Sequence, residues 1–265
     1  MRGGHFFELD VATGKWRDLS KSDPGGVSAP HQGIIAVDVI PARHLLVGFT
    51  VPRGDILLYD LTQGRTIQRY PGPPEYLGLN VSREVFATKD AIYTSFREGP
   101  MYKLDLYTGV YGPIGDVKFM GFVTAMAYTK DRKHVYYINY NGTFYHFDVA
   151  GERLETLGLC LTKKEIAAGM DVVGSFAIAV TPDDKKVIVF HSDADGGHKL
   201  LYEYDRGTGE AARLGDFMAR LGKGRYGPFI NGGGLFDAQG RLYFTYYQDP
   251  WIGAGLIRID LNRID

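Results

Sequence analysis

The feature that most limits what this chain can fold into is a recurring strand and turn. FFELDVATG, LLYDLTQG, YKLDLYTG, YHFDVAG and LYEYDRGTG each carry apolar residues, an Asp and, three or four residues on, a Gly, at Gly14, Gly64, Gly109, Gly151 and Gly209. LIRIDL near the C-terminus keeps the front half of the pattern. The aspartates stand at 10, 60, 105, 148, 205 and 260, so the unit returns every 43 to 57 residues. Self-similarity at this period, with several short strands per unit, predicts the blades of a β-propeller. Alternating apolar and polar residues in MYKLDL and LYEYD mark half-buried strands. The glycine that follows supplies a positive-φ residue where the chain turns back. Each repeat is therefore expected to be the third and fourth strands of a blade, its Asp accepting turn N–H groups.

The intervening segments supply the other two strands. AMAYTKDRKHVYYINY, FAIAVTPDDKKVIVFHS and LFDAQGRLYFTYY each place a polar turn between two strand-like runs, and IAVDVIPARHLLVGFT and EVFATKDAIYTSF follow the same plan. Two connections read as single helical turns: CLTKKEIAAGM, with a Thr162 to Glu165 capping-box spacing, and DFMARLG. The expectation is an all-β chain, one propeller domain over residues 1–265, built of four-stranded antiparallel blades. The strands add up to an opening pair (5–10, 15–19), four whole blades (33–70, 77–115, 122–158, 172–214) and three closing strands (229–260). That count lies between five and six blades and predicts an incomplete blade at the N-terminus.

The TPDDKKVIVF and D-x-x-T-G patterns resemble those of bacterial β-propellers of the YVTN, SMP-30/gluconolactonase-like and quinoprotein-like repeat group. The resemblance implies architecture and no particular activity. The Trp-Asp blade ending of WD40 repeats and the double-glycine rhythm of kelch repeats are absent from the sequence.

Thirty Lys plus Arg against 31 Asp plus Glu leave a net charge of −1, so no global basic field argues for nucleic acid. The apolar runs are too short for a membrane-spanning helix. MRGGHFFELD lacks the apolar stretch of a signal peptide, and a periplasmic or secreted location is expected only if the natural N-terminus extends further. The single Cys160 excludes an intrachain disulfide and a Cys-based zinc site.

Chemistry is expected in the loops joining second to third strands, which a propeller gathers on one face. Arg53 in VPRG and Arg97 in FREG occupy matching loops of neighbouring blades, where two guanidinium groups suit a carboxylate or sulfate. HSDADGGH offers His191, Asp193, Asp195 and His198 as ligands for a divalent metal, Ca, Mn or Zn. YYQDPWIG groups Tyr247, Gln248 and Trp251 in the composition of a sugar-stacking platform. His31 and Asn231 precede or open first strands, and His31 and His191 are the candidates for a general base. The functional expectation is a carbohydrate-directed propeller that binds an acidic sugar or oligosaccharide, or cleaves it in a lyase or lactonase-like reaction. The alternative is a non-catalytic protein-interaction scaffold.

Overall fold

A computed structural model of the protein describes residues 3–10, 12–76, 82–97, 99–193, 199–216, 229–247 and 254–261. The chain divides into two compact units, Met1–Phe119 and Met120–Asp265.

In the first unit, Gly3–Gly4 (β1), Phe7–Asp10 (β2), Lys15–Asp18 (β3) and Ala29–Pro30 (β4) precede two four-stranded sheets. β2 pairs with β3, and β1 pairs with β4. One sheet comprises Gly33–Ile40 (β5), Leu45–Val51 (β6), Ile56–Asp60 (β7) and Arg65–Tyr70 (β8). The next comprises Phe86–Ala87 (β9), Ala91–Ser95 (β10), Pro100–Asp105 (β11) and Tyr111–Lys118 (β12). Both are antiparallel in sequence order, the blade arrangement expected. Val47, Phe49, Ile56, Val85, Ile92, Phe96 and Leu104 form the apolar layer that the two sheets share. One buried carboxylate crosses that layer: Asp38 Oδ2 accepts the Ala87 N–H at 2.8 Å. Phe6 and Ala29 pack with Leu57 and Tyr59, tying the N-terminal strands to the first sheet.

The second unit opens with Val123–Tyr128 (β13), His134–Asn139 (β14), Thr143–Asp148 (β15) and Arg153–Leu159 (β16). A helical turn, Lys163–Ala167 (α1), follows and carries the capping box expected from Thr162 and Glu165. The second expected helical turn, DFMARLG, lies outside the described residues after Asp216. Val172–Val180 (β17), Lys186–Asp193 (β18), Lys199–Asp205 (β19) and Glu210–Asp216 (β20) make the next blade, and Phe229–Phe236 (β21), Leu242–Tyr247 (β22) and Ala254–Ile259 (β23) the three closing strands. These seven form one sheet, because β17 and β21 pair in parallel at Ala177↔Gly232 and Ile178↔Gly233. The NGGG run also brings β21 close against β13. A Cβ on Gly233 would lie 2.5 Å from the Met126 carbonyl oxygen, so only a bare backbone fits there.

The Asp-to-Gly turns behave as the repeat predicts. Asp10, Asp60, Asp105 and Asp205 each end a strand, and each Oδ1 accepts the N–H groups of the residues two and three places on. Those donors, foremost the N–H three residues on, hold the four carboxyls below the ordinary carboxylate range. The glycine four residues on from each Asp has φ between +66° and +73°. The fourth repeat departs from this. Its glycine stands three residues from Asp148, and the left-handed position falls on Glu152 at φ +48°.

Candidate functional site

Arg53 lies in the loop between β6 and β7, and Arg97 in the loop between β10 and β11. Both side chains are exposed, and both loops join second to third strands of neighbouring sheets in one unit. The sequence reading of equivalent positions for the two guanidinium groups therefore holds at the level of topology.

Each loop springs from a buried polar cluster. Under the first loop, Thr50 Oγ1 donates to Gln32 Oε1 at 2.7 Å and accepts the Asp55 N–H at 2.9 Å. Gln32 Nε2 in turn donates to Asp55 Oδ2 at 2.7 Å, and Asp55 Oδ1 accepts the Gly72 N–H at 3.1 Å. Both loop ends are thus locked, and every charged oxygen of Asp55 is used. Under the second loop, Ser95 Oγ donates to Glu84 Oε1 at 2.7 Å. Glu84 is 1% exposed, and among the described residues neither its Oε2 nor the buried Ser82 hydroxyl close by in the chain has a hydrogen-bond partner. Burial, opposed by the Ser95 hydrogen bonds, pushes the Glu84 carboxyl up to about 7. A carboxyl in that state takes up or releases a proton near neutrality, the property a general acid or base needs.

The sequence reading passed over Glu84. Its signal was a carboxylate directly before the apolar Val85 and Phe86, where a solvated side chain has no place to go.

His191 requires a correction. The HSDADGGH segment was expected to carry it in a loop, but His191 and the backbone of Asp193 belong to β18, paired with β17 and β19. The run KVIVF continues its alternation into His191, so the imidazole falls on the face of Val187 and Val189, inside the core. It is fully buried, its ring 5.5 Å from that of Tyr202. Nε2 donates to the Cys160 carbonyl at 3.1 Å. Burial outweighs that hydrogen bond and pushes the imidazole down to about 4, so it stays neutral at physiological pH. The proton acceptor expected at a ligand face is a core residue. Cys160 is likewise buried, its thiol pushed up to about 12 by burial.

His191 fits a pattern shared by four sheets. Thr50, Ser95, Asn139 and His191 stand at or near the end of a second strand, and all four are buried. Asn139 accepts the Thr143 N–H at 2.8 Å and donates to the Met120 carbonyl. Each of the four fastens a neighbouring segment to its sheet by a side-chain hydrogen bond.

The other expected residues divide in two groups. His31 is exposed, in a turn with φ +60° beside Gln32. Asn231 and Tyr247 lie in β21 and β22, where their backbones pair with Thr245 and with Phe229 and Ala254. The side chains of Asn231, Tyr247 and Asp193, and the whole of Asp195, His198, Gln248 and Trp251, lie outside the described residues. Among the described residues, no group of three or more His, Cys, Asp or Glu side chains is disposed to hold a metal ion. No helix among them is long and apolar enough to cross a membrane.

No protein-family model matches the chain, and no curated protein matches it. Solved structures do. The extracellular domain of BT4673 from B. thetaiotaomicron superposes with a TM-score of 0.53 at 17% identity, over 87% of this chain and 28% of that one. A chain of the mitotic checkpoint complex gives 0.60 at 11% identity over 96% of this chain and 71% of that one, and U3-55K gives 0.60 at 10% over 95% and 70%. The chain thus spans little more than a quarter of the BT4673 structure. Together these neighbours support a β-propeller architecture, shared with WD40-like proteins whose Trp-Asp signature this sequence lacks. They support fold alone.

Proposed function

We propose that the protein is a ligand-binding propeller of five to six blades that holds an acidic sugar or oligosaccharide through its second-to-third-strand loops. The observation that supports this reading is the placement of Arg53 and Arg97, exposed, in equivalent loops of neighbouring sheets. Their loops are anchored by buried polar clusters, so the guanidinium groups start from fixed backbone, which lowers the ordering cost of binding. A carboxylate-bearing sugar is a ligand that two such forks recognise and a neutral sugar is not. Lyase or lactonase-like turnover of the same ligand is the finer step. Glu84 is buried beneath the Arg97 loop, as His191 is in the core, so acid–base chemistry for that step falls to the exposed His31.

The test is a melting-temperature panel of uronic-acid oligosaccharides against neutral ones. An acidic ligand at a hundred times its Kd adds about 2.7 kcal/mol of stability. Arg53→Ala or Arg97→Ala is expected to weaken its binding by about 1.5–3 kcal/mol and to leave neutral sugars unaffected. Equal binding of acidic and neutral sugars, or acidic binding indifferent to both substitutions, overturns the reading.

One observation favours the scaffold alternative. The β2–β3 hairpin exposes Phe7 (58%) and Trp16 (64%), and with Leu9 they lie on one face of the ladder. Contiguous exposed apolar side chains are the mark of a protein contact, and one structural neighbour comes from a protein assembly, the mitotic checkpoint complex. A panel without any ligand shift, together with a partner lost on Trp16→Ala, supports that alternative.

A further inference from the structure

We propose that His134 and His146 form a binding site for a divalent transition metal with tetragonal preference, Cu(II) or Ni(II), in the second unit. The ladder between β14 and β15 pairs His134 with Asp148 and Tyr136 with His146. Residues directly opposite share a face, so the two histidines are diagonal neighbours on one side of the sheet. His134 Nδ1 and His146 Nε2 are 2.9 Å apart. Two metal–nitrogen bonds of about 2.0 Å meeting at a right angle set their nitrogens about 2.8 Å apart, whereas a tetrahedral ion spreads them to about 3.3 Å. The observed separation matches the cis edge of a square-planar or tetragonal site. Both rings are only partly buried, which leaves the remaining coordination positions to water.

The surroundings orient these rings. Glu155 Oε2 lies 3.8 Å from His146 Nδ1, on the side away from His134, beyond hydrogen-bond reach but near enough for its charge to favour a bound cation. Tyr136 stacks on His146 with ring centroids 5.1 Å apart. The charged groups around His146 are Glu155 and Asp148, which favour a cation, and Arg206, which disfavours one. Arg206 Nε is engaged with the Tyr136 hydroxyl at 2.7 Å. Binding exchanges the hydrogen bond between the rings for two metal–nitrogen bonds, the shared proton moving to the outer nitrogen of its own ring.

The full chain is titrated at pH 7.5 with NiCl₂, CuCl₂ and ZnCl₂ by calorimetry, and the Cu(II) form is examined by electron paramagnetic resonance. One tight site with two-nitrogen hyperfine structure is expected. His134→Gln and His146→Gln should each weaken it at least tenfold, and His31→Gln should leave it unchanged. Melting of the metal-free variants by circular dichroism establishes that they are folded. Equal affinity of wild type and folded His146→Gln, or a signal without nitrogen coupling, overturns the site. Tighter binding of Zn(II) than Ni(II) overturns its tetragonal assignment.

Discussion

Replacing Glu84 with Gln isolates the protonation of a single buried carboxyl. Burial raises its pKa from an ordinary 4.5 to about 7. Between those values the folded protein retains a proton that the unfolded chain has released. By linkage, the contribution of this residue to stability is fully present below pH 4.5, is lost as pH rises through 7, and is constant beyond. A difference of about 2.5 pH units at 1.36 kcal/mol each amounts to about 3 kcal/mol. Glu84→Gln keeps the shape and the acceptor for Ser95 but cannot ionise. Its amide nitrogen replaces an oxygen that has no partner among the described residues, a cost that does not change with pH. The stability of the variant relative to wild type should therefore climb by about 3 kcal/mol from pH 4.5 to pH 7 and then level off. Urea unfolding followed by circular dichroism at constant ionic strength, every half unit from pH 4 to 8.5, measures this. Parallel curves across that window would refute the argument, because they require Glu84 to ionise equally well in both states.

His191 predicts the opposite sign. Its imidazole is depressed to about 4 from 6.5, so wild type should lose about 3 kcal/mol as pH falls between those values and His191→Gln should not, by the same unfolding series. Glu152→Gly removes a left-handed residue that carries a side chain; relief of about 1–2 kcal/mol, less the added freedom of an unfolded glycine, leaves a gain of about 0.5–1 kcal/mol in denaturant unfolding. Gly109→Val works the other way at φ +71°, costing about 1–3 kcal/mol while ligand affinity is unchanged. Its new Cβ would stand 3.6 Å from the Tyr70 ring, an ordinary contact, so the cost is conformational and not steric.

The strand plan was legible because its signals are local. Asp and Gly mark each turn through hydrogen bonds within five residues, and alternation marks each strand. The full sheets begin and end within a few residues of the expected positions, apart from a late start at Phe86 in the second of them. Two-residue pairings such as Gly3–Gly4 with Ala29–Pro30 carry no such signal, since their partners are 25 or more residues apart. The fourth repeat shows how motif spacing misleads. Its glycine matches the motif, yet the turn geometry counts residues from Asp148 and assigns the left-handed role to Glu152. The candidate site was legible only in part for a related reason. Arg53 and Arg97 fall in matching second-to-third-strand loops, because loop identity follows from strand order, but strand order does not say where a strand stops. The apolar run before His191 extends β18 through it, and a residue read as a loop ligand becomes a core anchor.

The buried polar residues at the ends of second strands give that anchor its meaning. Where a second strand leaves its sheet, backbone groups lose their ladder partners, and an unpaired buried group costs about 1–3 kcal/mol. Thr50, Asn139 and His191 meet the demand with hydrogen bonds to backbone donors or acceptors. Ser95 alone of the four spends its hydroxyl on a carboxyl, one oxygen of which has no partner among the described residues. A residue serving only to fasten a loop has no need of a charge-bearing partner: Gln at position 84 would offer Ser95 the same acceptor without the ionisation cost. The strain at Glu84 is therefore not explained by the fastening that explains its three counterparts, and it lies beneath the loop that carries Arg97. If the residue serves the ligand face, Glu84→Gln should gain stability above pH 7 and at the same time lose the pH dependence of acidic-sugar binding near neutrality. A variant that gains the stability while ligand binding keeps its pH profile separates the two and leaves Glu84 a structural residue.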